Sequence, residues 1–133
     1  MIRIFATFLS LLFVSTVSAE ITAKNVEYKQ GTTSLEGVLV LDNAISTKRP
    51  GVLLANDWGA THPETRIKAG QIARLGYAVF CIDLYGKNVQ PKDIKEAALK
   101  AGLNGKDRSG IRAKTTAAIE AIAKIPQIDS KKI

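Results

Sequence analysis

The sequence has little of the material that several functional classes require. It holds one cysteine, Cys81, so an internal disulfide is excluded. It holds one histidine, His62, and no paired cysteines, so no zinc-binding spacing exists. The glycine-rich patterns G-x-G-x-x-G and G-x-x-x-x-G-K-[ST], which bind nucleotides, are absent from the chain. The sequence therefore predicts neither a metal site nor a cofactor.

Aromatic residues are also scarce, at 6% of the chain, although the net charge is +7. A basic protein can bind nucleic acid or an anionic surface. Here the lysines and arginines are scattered, and no aromatic residues alternate with them as single-strand binding requires. The charge pattern is therefore typical of a solvated surface, and no nucleic-acid partner is predicted.

Residues 1–19 have the composition of a secretory signal peptide. Arg3 precedes an apolar run over residues 4–14, and Val17-Ser18-Ala19 forms a cleavage site of small residues. The run is shorter than the roughly 20 apolar residues of a membrane-spanning helix, although an uncleaved anchor is the alternative. We therefore expect a periplasmic or secreted protein that meets the membrane only during export, with residues 20–133 as one domain.

Hydrophobic patterning over the remaining chain predicts an α/β domain. Alternating polar and apolar residues over 24–30, and a second segment over 35–41, predict an antiparallel hairpin. Continuous apolar runs over 51–55 and 77–82 are typical of parallel strands that are covered on both faces. A helix between these runs would complete a parallel βαβ unit, so flanking helices should cover the sheet.

The helix of this βαβ unit has start and stop signals. Thr61 and Glu64 have the spacing of a capping box, which predicts Thr61 as the N-cap. Gly76 follows the last apolar residue and predicts the end of the helix. His62 is then expected on the surface in the first turn.

Two further helices are predicted near the end of the chain. Residues 91–101 have apolar side chains at helical spacing, and Gly102 and Gly105 are expected to interrupt the helix. Residues 109–124 repeat the spacing, with Ser109 as a candidate cap.

Candidate functional residues follow the two predicted parallel strands, because function gathers at the carboxyl ends of such strands. The loop 56–60 contains Asp57 and Trp58 before a helix start, where free backbone N–H groups can face an anion. The loop 83–87 follows the second strand. A structural alternative has Asp57 as a turn residue and Trp58 packing over the sheet edge.

Five segments together resemble the dienelactone hydrolase family of the α/β-hydrolase superfamily. They are R-P-G-V-L-L at 49–54, D-W-G at 57–59, L-G-Y at 75–77, D-L-Y-G-K at 83–87 and D-S-K-K-I at 129–133. The resemblance extends over nearly all of residues 24–133. It covers only the N-terminal part of such an enzyme, since D-S-K-K-I resembles the turn before the nucleophile strand.

The resemblance implies an incomplete α/β-hydrolase fold that lacks the nucleophile strand and everything after it. The family places a Cys or Ser nucleophile on a G-x-C-x-G or G-x-S-x-G elbow, followed by an Asp and a His. No such elbow occurs in this chain, so the nucleophile and the triad Asp and His are expected beyond residue 133. The implied function is hydrolysis of small esters or related acyl compounds, and the chain alone is expected to be inactive.

The resemblance also gives roles to individual residues. The backbone N–H of Trp58 is implied as one oxyanion donor. Asp57 occupies the position of a family glutamate near the nucleophile, with a shorter side chain. Tyr85 is expected to contact substrate at the pocket rim, and Asp83 to brace the loops, with packing at the strand end as the alternative for both. Cys81, inside an apolar run, is expected to be buried rather than nucleophilic.

Two alternatives to an enzyme fragment remain open at this point. A truncated, non-catalytic product could act as a binding or structural module, with its apolar strand 51–55 at an exposed sheet edge that favours association. A flavodoxin-like ligand-binding domain is disfavoured, because loop 56–60 is not rich in Gly, Ser or Thr and Asp57 would repel phosphate. The oligomeric state is left open.

Overall fold

The computed structural model describes residues 20–55, 62–89 and 91–133. Within these ranges the strands form a five-stranded sheet of order β1-β2-β4-β3-β5, and no helix is long and apolar enough to cross a membrane. The predicted signal peptide lies outside the described residues. The elements in chain order are β1 (Ile21–Gln30), β2 (Thr33–Asp42), β3 (Arg49–Leu54), α1 (Pro63–Arg74), β4 (Ala78–Cys81), α2 (Ile94–Lys106), α3 (Arg108–Ile122) and β5 (Ile128–Asp129).

The predicted hairpin is confirmed as β1 and β2. The two strands pair antiparallel along their whole length, from Ile21 opposite Asp42 to Gln30 opposite Thr33. Gly31 turns the chain with a φ of 57°, a conformation that glycine adopts without steric cost.

The predicted parallel βαβ unit is also confirmed, as β3, α1 and β4. The strands pair in parallel from Gly51 opposite Ala78 to Leu54 opposite Cys81. Helix α1 covers one face of the sheet, where its buried residues Ala69 and Ala73 pack in one apolar cluster with residues of β2 and β4.

The opposite face of the sheet is covered by α3. Its buried residues Ala118 and Ile122 pack with apolar side chains of β1, β2 and β4, including Tyr28, Leu35 and Phe80. Strand β4 is therefore buried on both faces, as its continuous apolar sequence predicts.

Helix α2 begins and ends later than predicted. It runs from Ile94 through Gly102 and Gly105, so the prediction that these glycines interrupt the helix is wrong. One helical glycine costs only about 1 kcal/mol relative to alanine. The start is fixed by Asp93, whose carboxylate accepts the backbone N–H of Glu96 at 2.8 Å.

Helix α3 is capped by Asp107 rather than by Ser109, so the predicted cap is also wrong. The Asp107 carboxylate accepts the Gly110 N–H at 2.9 Å, and the Ser109 hydroxyl donates to the same oxygen at 3.0 Å. These two hydrogen bonds hold the pKa of Asp107 below its ordinary value, and the bond from the Gly110 N–H has the larger effect. Asp107 is the single residue between α2 and α3, so it ends one helix and begins the next.

Helix α1 has His62 as its N-cap, which corrects the prediction of Thr61. Thr61 itself lies outside the described residues. A residue before proline is restricted to extended conformations, and His62, which precedes Pro63, has φ −61° and ψ 137°. The helix accordingly begins at Pro63, and His62 is half-buried rather than exposed.

The short strand β5 was not predicted from the sequence. It pairs in parallel with the start of β3, with Arg49 opposite Ile128 and Pro50 opposite Asp129. The Gly51 N–H then donates to the Lys132 carbonyl at 2.8 Å. Arg49 and Pro50 thus pair with β5, whereas the strand from Gly51 to Leu54 pairs with β4. Within the described residues, the apolar run predicted to have an open edge gains one hydrogen bond on that side, at Gly51.

Candidate functional site

The carboxyl ends of β3 and β4 form the candidate functional edge of the sheet. The strands run parallel, and the Ile82 N–H donates to the Leu54 carbonyl at 2.9 Å just where both end. The two strand ends, at Leu54 and Cys81, therefore lie side by side. Asp57 and Trp58 belong to the loop after β3 and lie outside the described residues.

The loop after β4 is organised around the carboxylate of Asp83. This side chain is buried, with 5% of its surface exposed. Its Oδ1 accepts the N–H groups of Tyr85 at 2.8 Å and Gly86 at 2.9 Å, and its Oδ2 accepts the Glu36 N–H at 3.0 Å. The prediction that Asp83 braces this edge is therefore supported by three hydrogen bonds, one of which reaches across to β2.

The backbone of Asp83 is held by the phenol of Tyr28 on β1. The Tyr28 oxygen accepts the Asp83 N–H at 3.0 Å, and its hydroxyl donates to the Asp83 carbonyl at 3.1 Å. The Tyr28 ring packs edge-on against Phe80, with centroids 5.7 Å apart. Burial raises the pKa of Tyr28 to about 12, so the phenol keeps its proton and remains a donor at neutral pH.

The far side of the same loop is attached to the β-hairpin and to α3. The Lys87 N–H donates to the Ser34 carbonyl at 2.9 Å, and the Lys87 ammonium lies 2.6 Å from the Glu27 carboxylate. The Lys114 ammonium donates to the Leu84 carbonyl at 2.6 Å. The loop is thus fixed from three directions.

Tyr85 lies within this braced loop and is half-buried. Its backbone is set by Asp83, and the following Gly86 has a φ of 132°, which only glycine adopts readily. The loop conformation that carries Tyr85 therefore depends on the buried carboxylate and on one glycine.

Cys81 does not have the environment of a nucleophile. It is fully buried at the end of β4. Burial raises the pKa of its thiol to about 11, against a weaker lowering effect of Arg66, so the thiol stays protonated at neutral pH. Within the described ranges no three His, Cys, Asp or Glu side chains are grouped so that they could hold a metal ion.

The sequence predicted a functional loop after β4 but not the distant residues that hydrogen-bond to it. Tyr28 and Lys114 were not singled out, because the residues that they bind are 55 and 30 positions away in the chain. A tyrosine in an alternating strand has no sequence signal that separates an ordinary core residue from one that binds a distant loop.

The sheet, the covering helices and the braced edge define a partial α/β-hydrolase fold. The chain belongs to the dienelactone hydrolase family, since the profile of that family matches residues 35–133. No sequence among curated proteins matches the chain.

Solved structures give the same relationship. A dienelactone-hydrolase-like promiscuous phosphotriesterase from metagenomic libraries is 28% identical, with a TM-score of 0.75 over 86% of this chain and 47% of its own. A structure named m3DLH is 26% identical, with a TM-score of 0.75 over 84% of this chain and 47% of its own. This chain thus spans about half the length of these relatives.

A third structure, a putative dienelactone hydrolase from Klebsiella pneumoniae subsp. pneumoniae, supports the fold alone. It is 18% identical, with a TM-score of 0.67 over 85% of this chain and 48% of its own.

Proposed function

We propose that this chain is the front part of a hydrolase that acts on small esters or related acyl compounds. Family membership supports hydrolysis as the reaction class. The observation that carries the proposal is the parallel pairing of β3 and β4, which places the end of β3 beside the start of the braced loop 83–87. Active sites of α/β sheets form where strand ends meet in this way.

The proposed chemistry uses a nucleophile, a His and an Asp that follow residue 133. A Cys or Ser attacks the acyl carbonyl, the His takes and then returns the proton, and the Asp orients the His. The hydrogen bond from the Gly51 N–H to the Lys132 carbonyl supports the proposal of a further strand after residue 133. This strand would run parallel to β3 on the side of β5. Such a strand would end next to the carboxyl end of β3.

This chain would contribute the wall of that site. In the proposal the Trp58 backbone N–H is one oxyanion donor, and Asp57 lies near the nucleophile. Tyr85 contacts the substrate from the braced loop, whose position depends on Asp83. The full-length protein needs no metal or cofactor for this mechanism.

The activity test compares the full-length gene product with residues 20–133 on a p-nitrophenyl ester. We expect turnover by the first and none by the second, because the shorter chain has no nucleophile. Cys81→Ser is the matched control in the full-length protein, and we expect it to retain turnover. Loss of turnover in that variant, with its melting temperature unchanged, would contradict the proposed position of the nucleophile.

A phosphotriester belongs in the same assay. The relative that is 28% identical is described as a promiscuous phosphotriesterase, which supports a test of an electrophilic phosphorus centre beside the carbonyl. We expect the carboxylic ester to be the better substrate. A phosphotriester with the higher kcat/KM would replace the acyl compound as the proposed substrate class.

The association state of residues 20–133 distinguishes the enzyme fragment from the non-catalytic alternative. Beyond Gly51, the edge of β3 that faces β5 has no strand partner within the described residues, so we expect this shorter chain to associate or aggregate. A monomer with one cooperative melt, together with an inactive full-length protein, would favour a binding or structural module.

The proposal also includes export of the protein from the cytoplasm. We propose that residues 1–19 are removed and that the domain from residue 20 works in the periplasm or outside the cell. N-terminal sequencing of the protein from periplasmic and cytoplasmic fractions tests this. We expect Glu20 as the first residue in the periplasmic fraction, whereas an intact Met1 in the cytoplasm alone would contradict export.

A further inference from the structure

A concavity lies along the β-hairpin on the face of the sheet that α3 covers. It has a volume of about 480 Å³ and is formed by β1, β2 and the connection between α3 and β5. Leu41 of its wall is next to Val40, which pairs with Val79 near the start of β4. The groove lining contains no residue of the loop 83–87 and none of the residues that hydrogen-bond to that loop, so the groove is separate from it.

The floor of the groove is apolar and its rim is basic. Val26, Leu39, Leu41 and Ile125 form the floor, with Leu39 almost fully buried. Lys24 and Lys124 lie on the rim and are exposed. The groove lining contains no acidic side chain.

Neither rim lysine forms an ion pair in the part of the chain that the structure describes. The ion pairs found there involve Lys87, Lys100 and Lys132, and neither Lys24 nor Lys124 has a carboxylate within 4.0 Å. Long lysine side chains can cover an apolar surface while the ammonium stays at its border. A ligand with an apolar body and one anionic end would match both parts.

We propose that this groove binds a small carboxylate with an apolar chain, such as a short fatty acid, independently of ester hydrolysis. The apolar chain would lie on Leu39, Leu41 and Ile125, and the carboxylate would accept hydrogen bonds from the lysines. The volume lies within the range of about 300–1,000 Å³ that is usual for small-molecule sites. A phosphate-rich polymer fits less well, because apolar side chains form the floor.

The test is an NMR titration of the full-length protein with octanoate, with octanol and octyltrimethylammonium as matched probes. We expect saturable shifts of the backbone amides of residues 22–26 and 124–127. Lys24→Gln and Lys124→Gln should each weaken octanoate binding about two- to five-fold, as expected for exposed charge pairs, and the double variant by more. Lys106→Gln, on α2, is the control and should have no effect.

Several outcomes would overturn the proposal. Equal binding of octyltrimethylammonium would remove the role of the lysines, and shifts confined to residues 83–87 would mean that octanoate occupies the hydrolytic site instead. Lysine-dependent binding to anionic phospholipid vesicles, with no octanoate binding, would replace the small ligand by a membrane surface. Ester turnover should be unchanged in the two lysine variants, so an inactive protein that still binds octanoate refutes only the proposed hydrolysis.

Discussion

The loop after β4 and helix α2 are neighbours in the chain, yet they are stabilised in opposite ways. The loop is built on a buried carboxylate, Asp83, which accepts three backbone N–H groups. Helix α2 buries only Ala97, and its larger side chains Ile94, Leu99 and Leu103 are 75%, 63% and 59% exposed. Fixed polar contacts hold the loop, whereas capping and helix propensity hold α2.

This difference predicts unequal local stability. Segments with few buried contacts open with a smaller free energy than those tied into the core. We therefore expect the amides of α2 to exchange with solvent well before those of Tyr85 and Gly86. We thus expect the loop after β4 to be more rigid than α2.

The largest effect is expected for Asp83→Ala. The substitution leaves three N–H groups without their acceptor, so we expect a loss of about 3 kcal/mol in the free energy of unfolding. Urea denaturation measures this loss. The matched control is Asp93→Ala, which removes only the exposed cap of α2 and should cost about 1 kcal/mol. Equal losses in the two variants would contradict the comparison.

The next effect is expected for Gly37→Ala on β2. A methyl group there would meet the Phe80 ring and lie 2.7 Å from the Cys81 carbonyl oxygen. Because these atoms belong to the packed β4, we expect a loss of about 2 kcal/mol, within the range for overpacked cores. Thermal unfolding followed by circular dichroism measures it, and an unchanged melting temperature would refute the close approach of β2 and β4.

A smaller effect is expected for Tyr28→Phe, which removes two hydrogen bonds to the Asp83 backbone. We expect a loss of about 1 kcal/mol at neutral pH. The pKa of Tyr28 rises from 10.0 to about 12 on folding, so this residue favours the folded state below pH 10. That contribution is lost as the pH rises from 10 to 12. Stability measured across this window should fall more steeply in the parent protein than in the variant.

The smallest effect is expected for Gly102→Ala, and it has the opposite sign. No atom lies within 4 Å of the added methyl group, and the site is inside α2. The substitution should stabilise the protein by up to about 1 kcal/mol through helix propensity. Slower amide exchange in α2 but not in the loop after β4 is the expected readout. A destabilised protein would mean that this face of α2 is packed.

The main elements of the fold could be predicted because their signals are local. The hairpin follows from alternation over β1, and the parallel pair follows from two continuous apolar runs. Strand β5 could not be predicted, since two residues carry no period and Ile128 is positioned by its pairing with Arg49. The cap at Asp107 was missed because aspartate and serine both suit that role, and only the geometry distinguishes them.

The location of the candidate site could be predicted from the sequence, but the hydrogen bonds that stabilise it could not. Strand ends identified Asp83 and Tyr85, whereas the contacts of Asp83 with Glu36 and Tyr28 join residues 47 and 55 positions apart. Such pairs depend on strand order, which local patterns do not give. The predicted roles of Asp57 and Trp58 stay predictions, because both residues lie outside the described part of the chain.

The most direct test of the central claim is to read the coding DNA past the codon for Ile133. We propose that the chain continues after residue 133 as a nucleophile strand. This strand would pair with β3 on the side where the Gly51 N–H already donates to the Lys132 carbonyl. The expected result is an open frame with a G-x-C-x-G or G-x-S-x-G elbow within about ten codons, and a later Asp and His. An immediate stop codon, or a frame without such an elbow, would contradict the claim that this chain is the front part of a hydrolase.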